Sequence, residues 1–485
     1  MKSSKKRIIY IVTLVLLFGC ETFETDLEVK NTNNPNDKIL ASSSVALQST
    51  AGTIFQNWYQ ASSDYYGPGA ALGTMADIAS CSWGNAGMRD LSSEPREALN
   101  NSVSYGSDVT NTYFNALYSV LADSNTILLA IENGTEFDDN NLIKSIGKFG
   151  QALAIGYNAL IFDKVWLSDE TGAVGDNAVD YKEAMKFAIQ KLDEAIEIAS
   201  NNDFSVPDGW FNGNTIDSDG LAKIMSSFGA RMLVMNARNL SEKAETDWTK
   251  VFNYTSNGIS EDFSVLHDDV NWDKDIIWLL VYPGWGRMDL RVISLMDPTY
   301  PNYWPESKTI LPQAVSSDAR LESDFQYLDG QNFRPERGTY HYSSYRYSRY
   351  DEYITEWTTP TIEFAKSELD MYAAEAKLNG EVRDIPAAAA IINSGTRTTR
   401  GQLPDVQQTE EAVAAAIHYE RMVEFPLTSL GLGFFEMRKE ELLQKGTLLH
   451  FPIPGKALDA IPAEYYTYGG TEGVGGVDYS TGGWR

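Results

Sequence analysis

The tetrapeptide Leu17-Phe18-Gly19-Cys20 constrains this chain more than any other stretch. It follows a basic start (Lys2, Lys5, Lys6, Arg7) and an apolar run from Ile8 to Phe18. That run is about eleven residues, too short to span a bilayer as a helix and the right length for the h-region of a secretory signal. A small residue followed by Cys at the end of such a run is how a bacterial lipoprotein signal ends. Phe18 is an unusual residue at its place in that motif. The reading predicts cleavage before Cys20, diacylglycerol on its sulfur and acylation of the new amino group. Each buried acyl CH₂ contributes about 0.8 kcal/mol, so several chains together make a firm anchor to a membrane. Residues 1–19 are then a signal peptide, and residues 20–36 a lipidated tether. The body is expected to be one unit over 37–485.

The charge of that body excludes some partners. The whole chain carries −28, and removing Lys2, Lys5, Lys6 and Arg7 with the signal takes it to −32. Phosphate backbones repel such a protein, so no nucleic-acid partner is expected. With Cys20 consumed by lipid, Cys81 is left alone, which excludes an intramolecular disulfide and a cysteine metal cluster. No further uninterrupted apolar run approaches eighteen residues.

Periodicity divides the body into helical and irregular stretches. Glu21 to Asp37 is polar, and Asn31 to Asn36 (NTNNPN) cannot build a core. Helical patterns are expected at about 37–60, 110–258 and 360–450. The clearest runs from Asp180 to Ala199, with Ala184, Ala188, Leu192, Ala195 and Ala199 on one stripe. Asp180 and Glu183 have the spacing of an N-cap and an acidic third position. Helices are also expected at 111–131, 142–162, 221–240, 247–256, 361–378, 385–396, 409–425 and 435–444. Two stretches break the pattern, at about 61–109 and 258–359. Both are rich in Gly, Pro, Ser and aromatics, and long irregular segments in compact proteins tend to be functional. Ile276 to Val281 is expected to be a short strand. Consecutive helix pairs point to a tetratricopeptide-like scaffold, although no clean 34-residue period is present.

The C-terminal block carries a family resemblance. His418-Tyr419-Glu420-Arg421-Met422-Val423-Glu424-Phe425 is followed by Gly433-Phe434-Phe435-Glu436-Met437-Arg438 and then by Phe451-Pro452-Ile453-Pro454. This resembles the ending of the SusD/RagB family, in which an ERxxE-type helix precedes an aromatic–acidic–Arg segment and a PIP motif. Gln151-Ala152-Leu153 to Trp166-Leu167, Leu221 to Asn239 with Trp248, and Ala373-Ala374-Glu375-Ala376 are similar to earlier family segments, in the same order. Asn393 to Gly401 departs from the family's Asn-x-x-Arg-x-Arg spacing at Arg397 and Arg400. Pro426 to Leu432 looks like an insertion. The resemblance implies a mainly α, SusD-like fold, with tetratricopeptide-like helix pairs packed against a loop-rich ligand region. It also implies an outer-membrane, surface-exposed lipoprotein of Bacteroidota that is not an enzyme and needs no cofactor. Such proteins capture nutrients, usually glycans, and pass them to a SusC-like TonB-dependent transporter. The acidic residues Glu21, Glu24, Asp26 and Glu28 are similar to the signal that sends such lipoproteins to the cell surface.

Sugar recognition needs flat apolar faces and directional polar groups, and Trp and Tyr supply both. Two stretches fit. Asp77, Trp83, Asn85 and Arg89 lie within thirteen residues of Gly- and Ser-rich chain. Trp278, Tyr282, Trp285, Arg287, Tyr300 and Trp304 lie among turns. These are the candidate glycan-binding residues. Trp166, Trp210, Trp248 and Trp484 read as structural, and Trp357 has no assignment. The acidity and the few Arg near the aromatics favour a neutral polysaccharide or oligosaccharide, such as the β-glucan laminarin, over an anionic one. Peptide-binding and scaffold members of the family are alternatives, and so is a surface glycoside hydrolase. Enzyme signatures are poor: the four His are isolated, HExxH and GxSxG are missing, and Ser145-x-x-Lys148 lacks supporting motifs. No metal is expected. Asp217-Ser218-Asp219-Gly220 has the look of a calcium-loop start, but no Glu stands at the twelfth place. Glu420, Arg421 and Glu424 read as an ion-pair network within one helix.

Overall fold

The computed structural model of the chain describes residues 43–81, 84, 86–96, 99, 105–173, 177–305, 310–330, 342–461, 463–466 and 478–485. Cys20, the signal, the tether, Trp83 and Asn85 fall outside them. The described residues are mainly helical.

Most of the longer helices start on caps that the sequence offers. In α1 (Ser44–Ser63) the Ser43 hydroxyl accepts from the Ala46 N–H. The expected irregular stretch then holds α2 (Gly69–Met75), β1 (Ala79–Cys81) and α3 (Met88–Ser92). After α4 (Tyr105–Glu132), Asp139 caps α5 (Asn140–Ile161). β2 (Lys164–Val165) and β3 (Val179–Asp180) pair, and Asp180 then caps α6 (Tyr181–Ser200) by accepting from the Lys182 and Glu183 N–H groups. The expected stripe of α6, from Ala184 to Ala199, is buried. Asp217 caps α7 (Ser218–Met235), so the acidic tetrad that looked like a calcium loop starts a helix. Asn239 and Asp247 cap α8 (Leu240–Glu245) and α9 (Trp248–Ser256).

α5 is the centre of this layer and is buried along nearly its whole length. α4 and α6 flank it, α7 packs on α6, and α9 packs on α7. Gly150 lets α1 and α4 meet α5: a Cβ there would lie 2.1 Å from Ser124 Oγ and 2.6 Å from Ile54 Cγ2. α4 contains a window apolar enough to cross a bilayer by length and composition, yet it packs on α1 and α5.

The second irregular stretch is a set of short elements. They are β4 (Phe263–Leu266), α10 (Asp275–Val281), β5 (Gly286–Met288), α11 (Leu290–Met296), α12 (Arg320–Ser323), β6 (Phe325–Tyr327), β7 (Tyr345–Tyr347), α13 (Asp351–Glu356) and β8 (Pro360–Phe364). Then come α14 (Lys366–Asn379), α15 (Ile385–Ser394), α16 (Thr396–Thr399), α17 (Glu410–Glu424, capped by Thr409), α18 (Leu432–Lys439) and α19 (Gly455–Ala460). α14 packs on α9, α15 and α17. One apolar core runs through α1, α5 and α7 and on to Trp272, Leu280, Met288 and Tyr347; a smaller one lies between α14, α15 and α17.

Two expected elements differ. Ile276 to Val281 is helical, as part of α10, rather than a strand. A short apolar run carries no period, and here Ile277, Leu279, Leu280 and Val281 are buried on several sides. Thr361 to Phe364, expected to open a helix, is strand β8, paired antiparallel with β4 across about a hundred residues of chain. Its β-branched residues suit a strand, and Pro360 stands at its first position.

The C-terminal block is held by tertiary ion pairs, not by pairs within its helix. Glu420 and Glu424 accept from Arg320 at 2.7 and 3.0 Å, while Arg421 pairs with Glu375 and Glu436. Arg349 and Arg400 also reach Glu424. Arg438 and Arg238 close the C-terminal ends of α5 and α7. They donate to the carbonyls of Leu160 and Met235 (Arg438) and of Ala159 and Asn236 (Arg238), at 2.6–2.9 Å. Cations suit those positions because helix C-termini carry orphan carbonyls and the negative end of the dipole.

Candidate functional site

The site is built on the pairing of β1 with β5. The two strands run antiparallel, with Ala79 opposite Met288 and Cys81 opposite Gly286. Gly286 permits the turn between α10 and β5: a Cβ on it would lie 1.9 Å from the Leu280 carbonyl oxygen. The backbone bonds from Tyr282 N–H to Trp278 O and from Gly286 N–H to Tyr282 O close that turn. Trp278, Tyr282 and Trp285 are thereby gathered in one place.

Their rings form a cluster. The Trp278 and Trp285 centroids are 4.2 Å apart and nearly perpendicular, and Tyr282 lies 5.1 Å from Trp285 and 6.0 Å from Trp278. Trp357 joins at 5.6 Å from Trp278. Tyr282 is 40% exposed and the three tryptophans are half-buried, so ring surface faces outward. Trp357 ends α13 in the left-handed region at φ +58°, its N–H donating to the Tyr353 carbonyl at 2.8 Å. That conformation is a genuine outlier for a bulky residue, and such strain gathers at ligand sites. Tyr353 lies beneath it, 6.1 Å from Trp357, with its hydroxyl accepting from the Lys274 N–H.

The surroundings are acidic. Asp273 is pushed up to about 6, first by partial burial and then by Asp275, Asp64, Asp269 and Asp268. Asp275, in the first turn of α10, is raised by burial, Asp64 and Asp269. Tyr65 and Tyr66 sit ring against ring at 4.0 Å, and Asp275 acts on Tyr65. On the other flank Arg346 is tied down: it donates to both Asp351 carboxylate oxygens (2.5 and 2.6 Å), to Gln326 Oε1 and to the Val281 carbonyl. Nothing in this arrangement offers an unneutralised cation to an anionic ligand among the described residues. Flat rings beside carboxylates and amides can stack on sugar faces and bond to hydroxyls.

The other candidates are placed differently. Asp77 is buried, pairs with Arg485 at 2.8 Å and Arg96 at 3.5 Å, and accepts from Trp484 Nε1 at 2.7 Å. Trp484, read as structural, holds that network. Arg89 is exposed on α3 beside Asp90. Arg287 is buried opposite Ser80 and donates to the Pro283 and Gly286 carbonyls, with its pKa held down to about 10 by burial and by Arg346. Tyr300 is buried, its hydroxyl accepting from the Ser344 N–H. Trp304 packs on Tyr342 at 4.6 Å. Trp83 and Asn85 lie outside the described residues. Thus three of the ten candidates come together, and the structure adds Trp357 to them, with the paired rings of Tyr65 and Tyr66 near Asp275 on the acidic side. Nothing in the spacing of Trp357 pointed to Trp278, 79 positions away; the two adjacent tyrosines in SSDYYGPGA were the available signal for the others.

No protein-family model and no curated protein sequence matches the chain. Solved structures do. Surface glycan-binding protein A from Bacteroides thetaiotaomicron aligns over 88% of this chain and 99% of its own, with a TM-score of 0.58 and 13% identity. A SusD superfamily protein from Parabacteroides distasonis aligns over 88% and 98%, with a TM-score of 0.57 and 16% identity. A SusD-like carbohydrate-binding protein from Bacteroides fragilis aligns over 82% and 86%, with a TM-score of 0.57 and 13% identity. The chain has the SusD-like fold, mainly helical, as its C-terminal block implied.

Proposed function

We propose that this protein is a non-catalytic glycan-binding protein of the cell surface. It captures a polysaccharide or oligosaccharide and passes it to a SusC-like TonB-dependent transporter. The observation that carries the reading is the cluster of Trp278, Tyr282, Trp285 and Trp357, which offers half-exposed ring surface among polar side chains. The SusD-like fold supports it, since structures with that fold include a surface glycan-binding protein and SusD-like carbohydrate-binding proteins. The lipoprotein ending at Cys20 and the acidic residues after it support anchoring on the outer face of the outer membrane, with residues 20–36 as a tether. The carboxylates around the cluster favour a neutral glycan, and laminarin, a β-glucan, is the first to try.

Affinity electrophoresis tests this. Native gels cast with laminarin, amylopectin, xylan, galactomannan or levan should retard the protein in at least one case. Trp278→Ala and Trp285→Ala should each abolish the shift while leaving the circular dichroism spectrum unchanged. Both variants binding as the parent would move the site elsewhere, and reducing sugar released during incubation would make the protein a hydrolase.

A further inference from the structure

A polar cleft opens beside Arg346. Its volume is about 780 Å³, inside the range of roughly 300–1,000 Å³ typical of ligand sites. Gln313, Ser317, Glu322, Gln326, Tyr327 and Ser348 line it. The β6–β7 register sets Gln326 directly opposite Arg346, and alternation along β6 leaves Gln326 exposed between buried Phe325 and half-buried Tyr327. The charges at the cleft are largely answered from within. Arg346 is spanned by Asp351, and Asp318 is bound by Arg320 at 2.8 Å. Side-chain groups of Gln313, Ser317, Glu322 and Ser348 have no hydrogen-bond partner among the described residues, nor has the Gln326 amide nitrogen. Amides, hydroxyls and the Glu322 carboxylate, beside the paired Asp318 and Asp351 and with Phe325, Tyr327 and Tyr345 on the wall, suit a hydroxyl-rich neutral ligand.

The cleft and the cluster share their parts. Arg346 lines the cleft and donates to the carbonyl of Val281, the residue before Tyr282. Asp351 lines the cleft and opens α13, whose six residues lead to Trp357. At about 1.5 Å of rise per residue, that helix separates the two by about 9 Å. Three linked sugar units span such a distance, whereas a disaccharide with one ring on the cluster stops short of the cleft.

We propose that this cleft is a second glycan subsite, which holds the continuation of a neutral chain stacked on Trp278, Tyr282, Trp285 and Trp357. It rests on the glycan-binding reading and selects within it for long, uncharged chains over short or anionic ones.

The test uses the full mature protein, the polymer from the panel that it binds best, and the disaccharide of that polymer. The double variant Glu322→Ala/Gln326→Ala removes two polar partners at exposed positions. Ser317→Tyr puts a ring into the cleft and leaves the Arg346–Asp351 pair itself unmutated, and thermal melts are to check that each variant folds. Both should bind the polymer about tenfold more weakly, as the loss of one or two hydrogen bonds implies, and the disaccharide as the parent does. Polymer affinity within twofold of the parent in both variants overturns the subsite; so does an equal loss for the disaccharide. The cluster reading survives either result if Trp278→Ala still abolishes binding. A parent protein that binds no glycan in the panel overturns both.

Discussion

Trp357 allows backbone strain and ligand contact to be separated by two substitutions at one position. Its φ of +58° places an L-residue in the left-handed region, which costs roughly 1–2 kcal/mol. Glycine escapes that cost but loses about 0.5–1 kcal/mol through the greater freedom of its unfolded chain. Trp357→Gly and Trp357→Ala both delete the ring, with its contacts to Trp278 at 5.6 Å and Tyr353 at 6.1 Å, worth about 0.5–1.5 kcal/mol each. The ring term cancels between the variants, and the backbone term remains. Trp357→Gly should therefore unfold at higher urea than Trp357→Ala, by about 0.5–1 kcal/mol at equal m, followed by circular dichroism. Both should bind glycan equally poorly in affinity gels. An alanine variant as stable as the glycine variant, or more so, would refute the strained conformation. A glycine variant that binds like the parent would refute the ring's role in binding.

Three further outcomes follow from packing and charge. Arg320→Met takes the close arginine from the buried carboxylates of Asp318 and Glu420, while Glu424 keeps Arg349 and Arg400, and should cost about 3–5 kcal/mol in urea unfolding; a loss under about 1 kcal/mol would mean the network is not closed. Gly286→Ala drives a Cβ to 1.9 Å from the Leu280 carbonyl and should cost about 2–3 kcal/mol and abolish glycan binding. Gly284→Ala, with nothing nearer than 3.6 Å, should be neutral in melts, and equal behaviour of the two would contradict the turn geometry. Asp273 has a folded pKa raised to about 6 from 3.8, so its favourable contribution is complete below pH 4 and is lost as pH rises through 6. The full shift corresponds to about 3 kcal/mol, and solvent screening at this half-exposed position reduces it to about 1. Asp273→Asn should then stabilise the protein at pH 7.5 and have no effect at pH 4; a gain of the same size at both would assign it to packing.

The helices were readable because their determinants are local. Asp180, Asp217 and Thr409 cap the helices that follow them, and the alanine stripe of α6 marks its buried face. The C-terminal motif was readable as well, but not its reason. Arg438 serves the carbonyl ends of two other helices, and Glu420 serves an arginine a hundred residues earlier.

What the sequence determined by itself about this protein is the set of helices, the acidity that argues against anionic ligands and the two stretches where aromatic residues gather. Those follow from short-range period, capping and net charge, which need no partner to be read. Tertiary structure alone decided that α10 is a helix and Thr361–Phe364 a strand, since their neighbours lie far along the chain. It also decided which aromatics meet. Tyr300 and Arg287 go inward while Trp357 comes out to Trp278, because the β1–β5 pairing and the Gly286 turn fix positions that no spacing along the chain encodes.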